Sequence, residues 1–143
     1  AAMVGLAGAA DGLDPAGPYG EFPCTVRAVV DLYGPADLTD LRWNLEMLGK
    51  TRDEAPELYK AASPTTYATK GDPPVLILHG TADTTVPVKQ SEDFAAVLAK
   101  AGVPHELVIV PGAPHTFDLQ PTQRDLRPVV LGFFDRHLKP GKK

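Results

Sequence analysis

Apolar positions along the chain change their spacing several times, and each change marks an element. Val75-Leu76-Ile77-Leu78 is an unbroken apolar run, introduced by Pro73-Pro74 and closed by His79-Gly80. A run without polar alternation predicts a strand covered on both faces, as in a parallel sheet. Pro87 then stands at a first helical position, and Phe94, Val97, Leu98 and Ala101 recur at i, i+3, i+4 and i+7 before Gly102. That spacing predicts an amphipathic helix opened by Pro87 and stopped by Gly102. Glu106-Leu107-Val108-Ile109-Val110 is another short apolar strand, stopped by Pro111-Gly112, and a final helix follows. Asp125 is its expected N-cap, and Pro128 falls in its first turn, where a missing N–H does little harm. Leu126, Val130, Phe133, Phe134 and Leu138 form its inward stripe.

Upstream the pattern is weaker. Ala1 to Ala10 is small and apolar with no N-cap residue ahead of Met3, Val4 and Leu6, so it reads as a helix whose beginning is missing. Asp11 to Pro23 is loop by its Gly, Pro and Asp content. Val26-Arg27-Ala28-Val29-Val30 is a β-branched run ending in Asp31-Leu32-Tyr33-Gly34-Pro35, and is expected as the first strand. From Asp37 to about Tyr59, Leu38, Leu41, Trp43, Leu45, Met47 and Leu48 are scattered among polar residues, which suggests short helices in a long excursion. The order strand, helices, strand, helix, strand, helix, with crossovers of a dozen residues or more, is that of an α/β fold with a parallel sheet.

Composition narrows the function classes. The 143 residues fit one domain with a real core, and 43% hydrophobic with 22% charged residues is a globular balance. With 14 basic against 18 acidic residues, net −4, there is no positive excess for nucleic acid or anionic lipid. No segment approaches the ~20 apolar residues that span a bilayer. Cys24 is the only cysteine, so no internal disulfide forms; it is expected as a small core residue, and it leaves the compartment unassigned.

In an open parallel sheet the ligand crevice lies beyond the C-terminal ends of the strands. Three such ends carry Asp31 with Tyr33-Gly34-Pro35, then His79-Gly80-Thr81-Ala82-Asp83, then Pro111-Gly112-Ala113-Pro114-His115-Thr116-Phe117. Asp83 and His115, 32 positions apart with one helix between them, would meet at one sheet edge. Acyl-bond hydrolysis by a serine needs such a pair: the imidazole takes and returns a proton, and the carboxylate fixes its tautomer. Asp83 on its own more often caps the next helix or satisfies a turn. Asp31 is the rival acid, although its Leu-Tyr-Gly-Pro context looks structural. His79, Asp83 and His115 lack the spacing of a metal motif, so His79 is expected as a hydrogen-bonded structural histidine, with no metal and no cofactor. His105 and His137 are expected at the surface. Trp43, Met47 and Phe117 are candidates to line an acyl pocket; ordinary packing explains Trp43 and Met47 as well, whereas Phe117 gains weight from its place beside His115.

His79-Gly80-Thr81-Ala82-Asp83-Thr84-Thr85-Val86-Pro87 resembles the acid loop of α/β-hydrolases, and Gly112-Ala113-Pro114-His115-Thr116-Phe117 is similar to their histidine loop. Val29-Val30-Asp31-Leu32-Tyr33-Gly34-Pro35 and Ala62-Ser63-Pro64 resemble segments of the acetyl-esterase, lipase and feruloyl-esterase-like branch. The resemblance runs from Ala1 to Leu138 and implies the C-terminal half of a single α/β-hydrolase catalytic domain, from a serine carboxylesterase acting on small acyl esters. Asp83 would be the triad acid, His115 the triad base, and Phe117 and Trp43 substrate contacts. The family's nucleophile sits on a Gly-x-Ser-x-Gly elbow. Only Ser63 and Ser91 occur, and neither lies between glycines. The resemblance therefore places the elbow and the N-terminal strands just ahead of Ala1, with little activity expected without them. Half a sheet would also expose an edge, so self-association or pairing with an N-terminal portion is expected. Two other readings remain: a noncatalytic binding or assembly module derived from the fold, and a prolyl-oligopeptidase-type serine peptidase.

Overall fold

The structure is a computed structural model that describes the chain apart from residues 9, 10, 14–21, 23, 42 and 140–143. The Asp11–Pro23 segment read as loop lies mostly outside the described residues, as do the last two positions of the Ala1–Ala10 segment. The elements are α1 (Ala2–Leu6), β1 (Val29–Leu32), α2 (Pro56–Ala61), β2 (Val75–Gly80), α3 (Lys89–Ala101), β3 (His105–Val110) and α4 (Arg127–Leu138). Short 3-10 turns at Leu38–Asp40, Glu46–Leu48 and Pro64–Thr66 fill the excursion between β1 and β2.

The three strands form one parallel sheet in the order β1-β2-β3, with Val29 opposite Val75 and Val75 opposite His105. Central β2 is buried along its whole length, as its unbroken apolar run requires. Because side chains alternate across a strand, Val75 and Ile77 face Phe94 and Leu98 of α3, together with Leu6 and Val29. Leu76 and Leu78 face the opposite layer, where Val130 and Phe133 of α4 pack with Val110, Phe117 and Leu126. A third, smaller cluster of Leu38, Leu41 and Tyr59 gives the excursion its own core.

Several boundaries move from their sequence positions. The first strand runs over Val29–Leu32 rather than Val26–Val30, since its ladder begins where Val29 N–H meets the Pro74 carbonyl. Residues 26–28 precede that ladder, and Asp31 stands inside the strand. Helix α3 starts at Lys89, two residues after Pro87, whose carbonyl accepts from Gln90 N–H in the turn that leads into the helix. It ends as expected at Gly102, at φ 77, with Val103 N–H returning to the Leu98 carbonyl. Helix α4 is capped at Leu126, one residue after Asp125, which still accepts the Arg127 N–H at 3.0 Å. Cys24 is exposed, and His105 and His137 are half-buried.

One buried side chain ties the excursion to the sheet layer. Gln90 Oε1 accepts from the N–H groups of Ala36 and Asp37 at 3.0 and 2.9 Å, and its Nε2 donates to the Asp37 carbonyl at 3.0 Å. Truncation by Gln90→Ala would leave the buried Ala36 amide and the half-buried Asp37 amide and carbonyl without their partner. It is expected to lower unfolding stability by about 1–3 kcal/mol, read by urea denaturation.

Candidate active site

Because β2 and β3 are adjacent and parallel, the loops beyond their C-terminal ends leave the sheet side by side. The ladder runs to the last pair, Gly80 opposite Val110, and three further bonds join the two loops. Thr81 N–H donates to the Val110 carbonyl at 3.1 Å, Ala82 N–H to the Ala113 carbonyl at 3.0 Å, and Gly112 N–H to Thr81 Oγ1 at 2.8 Å. The loops approach so closely that a Cβ on Gly80 would lie 2.1 Å from the Ala113 carbonyl oxygen. Only glycine fits there.

Out of that junction come the two predicted groups. Asp83 Oδ1 accepts from the N–H groups of Thr85 and Val86, both at 2.8 Å, an Asx-type turn that fixes the carboxylate plane. Its Oδ2 lies 2.7 Å from His115 Nδ1. With a carboxylate as partner, Nδ1 carries the proton and donates. Asp83 is shielded from water, whereas the His115 side chain keeps 26% of its surface exposed. No hydrogen bond to His115 Nε2 occurs among the described residues. Burial pushes the Asp83 carboxyl up, but the His115 hydrogen bond and the Val86 and Thr85 amides outweigh it and hold it below the ordinary 3.8.

The imidazole is also gripped from the side. The Tyr33 ring stands edge-on to His115 at 4.9 Å and 62°, and edge-on to Phe117 at 4.9 Å and 77°. Tyr33 and Thr116 are the non-glycine residues at positive φ among those described, at 45° and 61°. One packs on His115 and the other succeeds it in the chain. Left-handed backbone costs such residues energy, and its concentration around one imidazole marks a place where geometry outranks local preference. The sequence reading missed Tyr33; an aromatic residue directly beyond a strand end was its only signal.

Other expectations are sorted by burial. Phe117 is 5% exposed, so it sits in the α4-side core and reaches His115 through Tyr33. Trp43 and Met47 lie on the excursion, with Met47 86% exposed. Asp31 is buried within β1 and does not meet His115, whose Nδ1 belongs to Asp83. Desolvation raises its carboxyl above the ordinary value. His79 is fully buried, with Nδ1 2.6 Å from Ser91 Oγ and Nε2 2.9 Å from the Val86 carbonyl, so it is the hydrogen-bonded histidine expected. Among the described residues no three His, Cys, Asp or Glu side chains are grouped to hold a metal. No helix among them is long and apolar enough to cross a membrane. Both serines are enclosed: Ser63 Oγ accepts from Leu38 N–H and donates to the Tyr59 carbonyl, and Ser91 is held on His79.

A family model, BD-FAE, matches residues 1–98. The chain belongs to the BD-FAE family. Among curated relatives, the esterase LipQ of Mycobacterium tuberculosis is 37% identical over 109 residues, 69% of this chain and 26% of LipQ. The uncharacterized peptidase YuxL of Bacillus subtilis is 38% identical over 79 residues, 53% of this chain and 12% of YuxL. A solved structure, the truncated form of a carbohydrate esterase from gut microbiota, superposes with a TM-score of 0.81 at 28% identity. That match covers 96% of this chain and 55% of the other. This BD-FAE chain thus spans about a quarter of LipQ and about half of the solved esterase. Its parallel sheet and flanking helices are the corresponding part of an α/β-hydrolase esterase fold.

Two measurements test the geometry of this candidate site. Gly80→Ala is expected to cost about 1–3 kcal/mol in denaturant unfolding, because the obstacle is a backbone carbonyl that cannot rotate away. Since the folded state holds Asp83 below 3.8, its ionised form contributes stability above that pH, and the contribution is lost as pH falls through the lower folded value. Asp83→Asn is therefore expected to flatten the acid limb of the stability profile below pH 3.8 relative to the unsubstituted chain.

Proposed function

We propose that this chain supplies the acid and the base of a serine carboxylesterase site that acts on small acyl esters. The observation that carries the reading is the 2.7 Å hydrogen bond between Asp83 and His115 Nδ1, which leaves Nε2 as the basic nitrogen. In this reading Nε2 removes the proton from a serine hydroxyl as its oxygen attacks the ester carbonyl. The protonated imidazole, stabilised by the Asp83 carboxylate, then returns that proton to the departing alcohol. Water repeats the sequence on the acyl-serine, releasing the acid and restoring the hydroxyl.

Because Ser63 and Ser91 are enclosed and bonded elsewhere, the nucleophile in this proposal is a serine of the parent protein outside residues 1–143. In this reading that serine precedes Ala1 in the parent protein. LipQ and the carbohydrate esterase support ester over other substrates. The likeness to YuxL favours a second reading, in which the same pair serves a serine peptidase.

The test is hydrolysis of a short p-nitrophenyl ester by the protein that carries this chain. His115→Ala and Asp83→Asn are each expected to lower kcat by about 10⁴-fold. Full activity in both variants would overturn the assignment. A peptide anilide cleaved in preference to the ester would select the peptidase reading.

A further inference from the structure

His79 is a second imidazole beside the same carboxylate. It is the last residue of β2 to face α3, because Val75 and Ile77 set that parity, and its side chain is completely buried. Its Nε2 has two oxygen neighbours, the Val86 carbonyl at 2.9 Å and Asp83 Oδ2 at 3.1 Å. Neither can donate, since one is a carbonyl and the other belongs to a carboxylate held ionised. Nε2 must therefore carry the proton. In the neutral imidazole Nδ1 is then the acceptor, with the Ser91 hydroxyl at 2.6 Å as its donor. For the neutral ring this assignment satisfies every group.

That assignment places His79 at both ends of the acid turn. Val86 donates its N–H to Asp83 Oδ1 and accepts from His79 Nε2 through its carbonyl, so the imidazole pins the residue that pins the carboxylate. The N–H edge of the ring also lies beside Oδ2, the oxygen that His115 uses. We propose that His79, fixed in its Nε2–H tautomer by Ser91, is a positioning residue that holds Asp83 in register with His115. Its effect passes through Asp83 and Val86; it touches neither a substrate nor the serine.

This inference rests on the Asp83–His115 reading, and the experiment separates the two. Proton NMR of the chain, isotope-labelled at histidine, tracks the bridging Nδ1–H of His115 and its exchange with water. Asp83→Asn is the control, expected to abolish the bridging signal; if the signal survives, the pairing itself is wrong. His79→Leu, which keeps bulk but removes both ring nitrogens, is expected to speed exchange of the bridging proton about tenfold. Ser91→Ala is expected to move it the same way by less, and His79→Gln, which keeps an N–H near the Nε2 position, to restore most of the protection. In the parent protein, His79→Leu is expected to lower kcat on the order of tenfold to a hundredfold with KM unchanged, again with recovery in His79→Gln. If the bridging proton behaves identically in unsubstituted, His79→Leu and Ser91→Ala chains while Asp83→Asn removes it, His79 is packing alone and the inference falls. Should His79→Leu not fold, Ser91→Ala decides: unaltered exchange overturns the proposal, and faster exchange supports it.

Discussion

Everything at the candidate site depends on how closely the backbone after β2 lies against the backbone after β3. Gly80 and Ala113 touch without an intervening side chain, and the Ala82 amide closes on the Ala113 carbonyl at that contact. With the loops a side chain further apart, a carboxylate as short as that of Asp83 could not reach an imidazole on the neighbouring strand at 2.7 Å. The parallel ladder gives the two loops the same direction and a common starting line, and glycine removes the last obstacle. No long-range force is needed to bring the acid and the base together.

The two-residue repeat of β2 then divides the supporting work. His79 points toward α3, where Ser91 and the Val86 carbonyl meet its ring nitrogens. Gly80 points the other way, toward the layer that contains Ala113, Phe117 and α4. The acid loop springs from between them, so it is braced on one face by a hydrogen-bonded imidazole and on the other by backbone contact. Tyr33 adds a third support from β1 by packing on His115 itself. All three strands thus contribute to one pair of side chains, which explains why β1, remote in sequence from both loops, carries a strained residue at its end.

How much of this could be read from the sequence depends on the range over which each feature is encoded. The burial of β2 was legible because Val75 to Leu78 states it locally, and Asp83 with His115 because both stand just past strands whose ends are punctuated by glycine and proline. The start of β1 was not, since the β-branched run at Val26 does not reveal that its partner begins only at Val75. Pro87 and Asp125 were recognised as helix-start chemistry, yet the first regular turns form two residues later. Tyr33 left only the weak signal of an aromatic residue just past a strand, because its contact with His115 is made across the sheet and its left-handed backbone leaves no mark in composition. The His79–Ser91 bond is likewise made between elements, a strand and a helix.

Two buried carboxylates at neighbouring strand ends pose the remaining choice, and their surroundings separate them. Asp31 is desolvated with its carboxyl pushed upward, whereas Asp83 is held down by an imidazole and two amides. A group that must stabilise an imidazolium has to stay ionised while the imidazole gains its proton. A carboxylate held low stays ionised beside the imidazolium more readily than one pushed up by burial. The directions of the two shifts favour Asp83 for that part, in agreement with the contact that Asp83 alone makes with His115. Asp31 instead lies against Gly34, where a Cβ would come within 2.5 Å of its Oδ1, and so fills the bend that carries Tyr33. The rival acid then has a structural place: it packs in the turn that sets an aromatic ring against the imidazole, while under the proposed function the carboxylate beyond the next strand would stabilise the imidazolium.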